Sequence, residues 1–149
     1  MREYKFRAKA TEEMADGNQW VYGFGVHQVD LVGRGVEVHL HTSGGVYHVD
    51  PETVGQYTGL QDRNGKEIYE GDILTSESYP FQDEGKYNYH GIIEWIDEEA
   101  SFYMTKRLAN KEKRGMSDGI SQPIESIEEF EVIGNINENP ELLEVESNE

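Results

Sequence analysis

Five histidines and no cysteine limit the metal and nucleophile chemistry open to this 149-residue chain. Three of them, His39, His41 and His48, flank a Ser43-Gly44-Gly45 cluster between two alternating runs. If the chain reverses at Ser43-Gly44 or Gly44-Gly45, a side-chain period of two puts all three imidazoles on one face of a hairpin. Val38, Leu40, Tyr47 and Val49 then take the other face, so the imidazoles point outward. Three such groups on neighbouring strands can hold zinc, with water in the fourth position. A three-residue loop would break that parity. Ordinary outward-facing sheet histidines are the stronger reading, and neither a bound metal nor a cofactor is expected. His27 and His90 stand alone.

Two other groups of side chains have binding chemistry. Tyr79, Phe81, Tyr87 and Tyr89 stud a polar stretch from Ser76 to Tyr89. Amphipathic rings on a loop are good anchors for a protein partner, and they serve equally as a lid folded over the chain's own core. The only basic cluster is Lys106-Arg107-Leu108-Ala109-Asn110-Lys111-Glu112-Lys113-Arg114. Its bases are not interleaved with aromatic residues, as a platform for single-stranded nucleic acid would require, so a solvated loop is the plainer reading. P-loop, dinucleotide-fingerprint, His-Glu-x-x-His and EF-hand spacings are all missing. Carboxylates are so numerous that pairing two of them as catalytic would be arbitrary.

Thirty Asp and Glu against thirteen Lys and Arg give a net charge of −17. The excess is uneven: −2 over residues 1–50, −9 over 51–100 and −6 over 101–149. From Glu125 to Glu149 there are nine acids and no base. Binding to a phosphate backbone rests on Lys and Arg releasing counterions, so direct nucleic-acid binding is disfavoured. Solubility is the plain consequence of such charge, and attraction of a basic protein the sharper one. The absence of cysteine fits a cytoplasmic setting. The charged N-terminus lacks the apolar stretch of a signal peptide, and no run is long and apolar enough to span a bilayer. A soluble protein away from membranes is expected.

The elements that must position these groups read as strands. Tyr4, Phe6, Ala8 and Ala10 alternate with Lys5, Arg7 and Lys9, and Trp20, Tyr22, Phe24 and Val26 repeat the period. Val36, Val38 and Leu40 make a third run, returned by Val46 to Val49. Asp62-Arg63-Asn64-Gly65 reads as a type I turn followed by a positive-φ glycine, joining strands near 56–60 and 66–69. Glu70-Gly71-Asp72 launches a strand at Ile73-Leu74-Thr75. Gly91 to Ile96 and Phe102 to Met104 form another hairpin, and Glu131 to Ile136 closes the set. Trp95 and Ile133 are expected to share a core with Ile73. Ser126-Ile127-Glu128-Glu129 reads as a capping box, and Asn139-Pro140 as N-cap and first residue of a short helix. The expected fold is mostly β: an N-terminal β unit over residues 1–50, packed with a small SH3-like barrel over 51–137. A short helix and frayed acidic tail follow over 138–149, giving one or two short helices near the C-terminus.

The block Gln56-Tyr57-Thr58-Gly59-Leu60-Gln61-Asp62-Arg63-Asn64-Gly65-Lys66-Glu67-Ile68-Tyr69-Glu70-Gly71-Asp72-Ile73-Leu74 resembles the signature of the YopX family. The opening Met1 to Ala8, the Val49-Asp50-Pro51-Glu52-Thr53-Val54-Gly55 lead-in and the Glu131 to Leu143 segment agree with it. The resemblance fits poorly only around residues 76–90 and 106–123. It implies a protein of phages and prophages with an SH3-type barrel, no established activity and no catalytic residues to carry over.

The resulting expectation is a non-enzymatic phage-type accessory protein that binds a host or phage protein through an acidic surface. One form of that role is mimicry of DNA charge against a basic, DNA-binding partner. Self-association is compatible with it. The alternatives are a nucleic-acid-binding barrel and a metal-dependent enzyme using His39, His41 and His48.

Overall fold

The computed structural model describes residues 3–12, 17, 19–76, 89–108, 120–123 and 130–143, with backbone alone at 76, 89, 90, 105–108, 120–123 and 143. The chain is mostly β, built from several antiparallel sheets. It divides into two compact units, Met1–Gly59 and Leu60–Glu149. The division falls beyond Pro51 because β6 (Gly55–Gln61) begins in the first unit, where Phe6 of β1 (Phe6–Lys9) pairs with Gln56. Pro51–Thr53 form a short 3₁₀ turn, capped where the Asp50 carboxylate accepts from the Glu52 N–H at 3.0 Å.

In the first unit β1 also pairs with β2 (Trp20–Gly23). A separate meander joins β3 (Gly25–Leu31), β4 (Gly35–Thr42) and β5 (Gly45–Val49). The expected single run from Trp20 to Val26 is two strands in two sheets. The chain bends at Phe24, whose N–H donates to the His41 carbonyl at 2.9 Å. Gly23 permits this approach: a Cβ there would collide with the same carbonyl oxygen. The inward face of β2 is also the opposite of the one expected. Ala8 stands opposite Val21, and both are buried; Tyr22 and Phe24 are exposed. Apolar character alone did not set that parity, because Arg7 and Lys9 offer Trp20 a cationic neighbour on the other face. Ala8, Ala10, Val21, Leu40 and Val49 form the core, with Phe6, Val26, Val38, Tyr47 and Val54 packed on it.

The second unit opens with the expected turn. Gly65 N–H donates to the Asp62 carbonyl at 3.0 Å, and Gly65 holds φ +83°, a conformation cheap only for glycine. The chain returns in β7 (Glu67–Tyr69) as the hairpin partner of β6. Next come β8 (Asp72–Ser76), β9 (Tyr89–Ile96), β10 (Ser101–Leu108), β11 (Ile120–Pro123) and β12 (Glu131–Asn135). The last five make one antiparallel sheet in the order β11-β10-β9-β8-β12. Among the described residues it is open, with β11 and β12 as its edges. The polar excursion expected from Lys106 is shorter than its composition suggests, since β10 runs to Leu108 and β11 begins at Ile120.

Ile68, Leu74, Ile93, Phe102, Met104, Phe130 and Val132 form the core of this unit. Ile73 is buried, whereas Trp95 is 41% exposed and Ile133 only half-buried. Trp95 shares the face of Ile93 but sits near the end of β9, edge-on to Phe102 at 5.1 Å. Ile133 misses the core because β12 shifts register. Val132 pairs with Leu74 and Gly134 with Ile73, leaving Ile133 as the extra residue of a bulge.

Near the C-terminus the structure describes one 3₁₀ turn, Pro140–Leu143. Asn139 stands at its N-cap as expected, its carbonyl accepting from the Leu142 N–H at 3.1 Å, but its side chain is engaged elsewhere. Its side-chain oxygen instead accepts from the Asn135 N–H at 3.2 Å, while Asn135 Oδ1 accepts from Asn137 and Glu138 N–H groups. The capping box at Ser126–Glu129 lies outside the described residues. Among those described, no helix is long and apolar enough to cross a membrane.

Candidate functional site

The unusual chemistry of the first unit lies on the outer face of β3, β4 and β5. β4 ends at Thr42 and β5 begins at Gly45, with Thr42 opposite Gly45, so the reversal uses two residues and the histidine parity holds. Thr42 fixes the turn: its Oγ1 donates to the Gly45 carbonyl at 2.8 Å and accepts from the Gly44 N–H at 3.1 Å. Leu40 and Val49 are buried on one side. His39, His41 and His48 take the other.

A fourth histidine joins them. His27 of β3 stands opposite His39 of β4, which stands opposite His48 of β5, forming a row across three strands. Ring centroids are 5.4 Å apart for His27–His39, 5.9 Å for His39–His48 and 4.7 Å for His27–His41. His27 Nδ1 and His41 Nε2 lie 2.7 Å apart. A hydrogen bond of that kind needs a proton on one nitrogen and a lone pair on the other. His39 Nε2 lies 3.0 Å from Glu37 Oε2. The Glu37 carboxyl is held below its ordinary value, first by that hydrogen bond, against opposing desolvation, with the charges of His48 and His39 adding to the lowering. His27 and His48 are exposed, and His39, His41 and Glu37 half-buried. As they stand, no three His, Asp or Glu side chains among the described residues are set to hold a metal ion.

His27 was missed because the apolar parity switches within β3. Val26 packs on the core, but the next apolar residues, Val29 and Leu31, fall on the other parity, so the run looks finished at Val26. Glu37, two residues before His39 and so on the same face, was a legible signal that went unused.

A second chemical face in this unit is structural. Arg7 and Lys9 sit over the Trp20 ring at 4.9 and 5.6 Å, and Lys5 over Tyr57 at 5.4 Å. Cations interleaved with aromatic rings could suit nucleic acid. Yet Arg7 is 6% and Tyr57 7% exposed, so the Arg7–Trp20 and Lys5–Tyr57 stacks each have one member packed away and not displayed.

Among the described residues of the second unit two carboxylates are buried, and both are taken up by the backbone. Asp62 Oδ1 accepts from Asn64 and Lys66 N–H groups at 2.8 and 2.9 Å, and Oδ2 from Val132 N–H at 2.9 Å. Burial pushes its pKa up, but the three backbone hydrogen bonds outweigh that and hold it low. The Asp62 turn thus clasps the start of β12, helped by Arg63 N–H to the Phe130 carbonyl and by the Arg63–Glu131 ion pair. Asp72 Oδ2 accepts from the Tyr69 N–H at 2.8 Å.

Of the expected partner-binding residues, Tyr79, Phe81 and Tyr87 lie outside the described residues. Tyr89 opens β9, opposite Leu108 and Ser76. In the basic cluster, Lys106 and Arg107 belong to β10 and residues 109–114 lie outside the described residues.

The family model described as YopX protein matches residues 5–144 of the chain. No curated protein matches it. Among solved structures, it is similar to the crystal structure of protein EF1440 from Enterococcus faecalis, with a TM-score of 0.50 and 22% identity. That alignment covers 97% of this chain and 100% of the other. At that identity the likeness speaks for the fold alone.

Proposed function

Because the chain belongs to the YopX family, we propose that it is a phage- or prophage-type accessory protein, acting in the bacterial cytoplasm as a non-enzymatic protein-binding module. Its second unit presents an acidic surface to a basic partner, in the manner of DNA charge. The observation that carries this reading is the placement of the carboxylates. Residues 1–59 hold eight acids and five bases, whereas residues 60–149 hold twenty-two and eight, or −14. Among the described acids of that unit only Asp62 and Asp72 are buried. Asp97, Glu98 and Glu99 stand exposed together at the β9–β10 turn.

We further read the second unit as an SH3-type barrel. The order β12-β8-β9-β10-β11 supports this: four consecutive strands form a meander, and the fifth returns beside the first. Small barrels serve many roles, so the barrel orients the acidic surface without naming its partner.

The test is capture of host proteins on the immobilised chain. A basic partner should be retained at about 0.05 M salt, released at about 0.5 M, and displaced by duplex DNA. A captured protein indifferent to both salt and DNA would defeat the charge-mimicry reading.

A further inference from the structure

We propose that the outer face of β3, β4 and β5 binds a divalent transition-metal ion of the imidazole-preferring class, Zn2+, Ni2+ or Cu2+, captured first by His27 and His41. The proposal is independent of the acidic second unit. It rests on four imidazoles from three strands gathered on one face that water reaches. Two of their nitrogens already lie 2.7 Å apart. Nitrogen ligands on a tetrahedral zinc, each about 2.0–2.1 Å from the metal, stand about 3.4 Å apart. The pair therefore needs to open by about 0.7 Å, a small side-chain rotation for half-buried His41 and exposed His27. No proton need be lost: the ring donating in the His27–His41 bond moves its hydrogen to its other nitrogen and offers the freed lone pair to the ion.

The third ligand is His39, whose ring is 5.4 Å from that of His27. It must turn from its present setting, since no three donors now surround one point. Glu37 holds the His39 ring through Nε2 at 3.0 Å and restrains it, as outer-shell carboxylates restrain metal-binding imidazoles. His48, opposite His39, or water can complete the coordination. Imidazole nitrogen selects zinc, nickel and copper over magnesium and calcium, which prefer oxygen. This distinction matters in a chain with thirty carboxyl side chains.

The test uses the full chain without a histidine tag, dialysed against Zn2+ at about 10 µM with millimolar Mg2+ present to occupy oxygen sites. Elemental analysis should find about one zinc per chain, and the double variant His27→Gln, His41→Gln should weaken binding by at least about tenfold. Zinc near background in the native chain would overturn the proposal, as would equal loading of the double variant. Should that variant fail to fold, proton NMR of the native chain decides. Zinc should move the imidazole signals of His27, His39 and His41 and leave that of His90 in place. Unmoved signals at the three, or an equal shift at His90, would overturn it.

Discussion

The two units spend their polar side chains in opposite ways. In the second, buried Asp62 and Asp72 are bonded to backbone N–H groups and organise turns, and among the described residues Asp97, Glu98 and Glu99 are left exposed at the β9–β10 turn. In the first, the net charge is small and the unusual side chains are not absorbed into the framework. His27, His39, His41, His48 and Glu37 lie on an outer sheet face, engaging one another. A polar group committed to the backbone cannot be removed without loosening the fold, whereas one that touches only other side chains can. The block around Gln56–Leu74 that carries the family resemblance belongs largely to the first kind. Its Asp62, Gly65 and Asp72 are accounted for by turn geometry, so that block speaks for the fold and says little about a binding site.

The largest expected effect breaks the framework side of this contrast. Asp62→Ala removes three hydrogen bonds to a buried carboxylate and leaves the Val132 N–H without its partner. The cost should be about 4 kcal/mol in urea denaturation, against about 1 kcal/mol or less for His27→Gln. The Asp62 carboxyl is held below its ordinary value of 3.8. Its contribution is therefore fully present above the unfolded value and is lost as pH falls through the lower folded one. Between about pH 5 and pH 2 the native chain should lose more stability than Asp62→Asn, which cannot titrate. Equal acid sensitivity in the two would remove Asp62 from its proposed place.

That turn also marks how far the sequence could be read. Asp62-Arg63-Asn64-Gly65 names its own geometry, because a type I turn followed by positive φ needs these residue types locally. The hairpins at Ser43-Gly44 and at 97–100 were legible for the same reason. What could not be read depended on partners distant in sequence. The clasp of Asp62 on Val132 spans 70 residues, the bulge at Ile133 is set by its pairing with β8, and the reversed face of β2 follows from Val21 meeting Ala8. The histidine face was half legible. Parity within one hairpin found three rings, but the fourth required knowing that β3 pairs with β4.

A smaller effect sharpens the contrast from the first unit. Gly23→Ala sets a methyl against the His41 carbonyl, where backbone must move. We expect a loss of about 2–3 kcal/mol, the scale of overpacking against atoms that cannot rotate away. Because His41 is the residue displaced, amide exchange should accelerate across β3 and β4 while β8 to β10 hold their protection. Loosening of β8 to β10 to the same degree would mean that the units do not respond separately.

The smallest expected effect concerns charge and tests whether the acidic surface is a coherent field. At about 0.01 M salt the Debye length is near 30 Å, and at about 0.15 M near 8 Å, so carboxylates across a whole unit repel one another in the first condition and only close neighbours do in the second. With −14 on residues 60–149 and −3 on residues 1–59, self-repulsion should penalise the second unit more. Raising sodium chloride across that range should stabilise the protein by about 1 kcal/mol or less. The gain should appear as slower amide exchange in β8, β9 and β10, with little change in β3, β4 and β5. Adding salt screens repulsion without altering hydrogen bonds, so the Asp62 clasp and the histidine row should be unaffected. Protection rising equally in both units would point to a general salt effect on burial. Protection that stays flat in β8 to β10 would mean that the carboxylates are too dispersed to act on one another, and too dispersed to steer a basic partner.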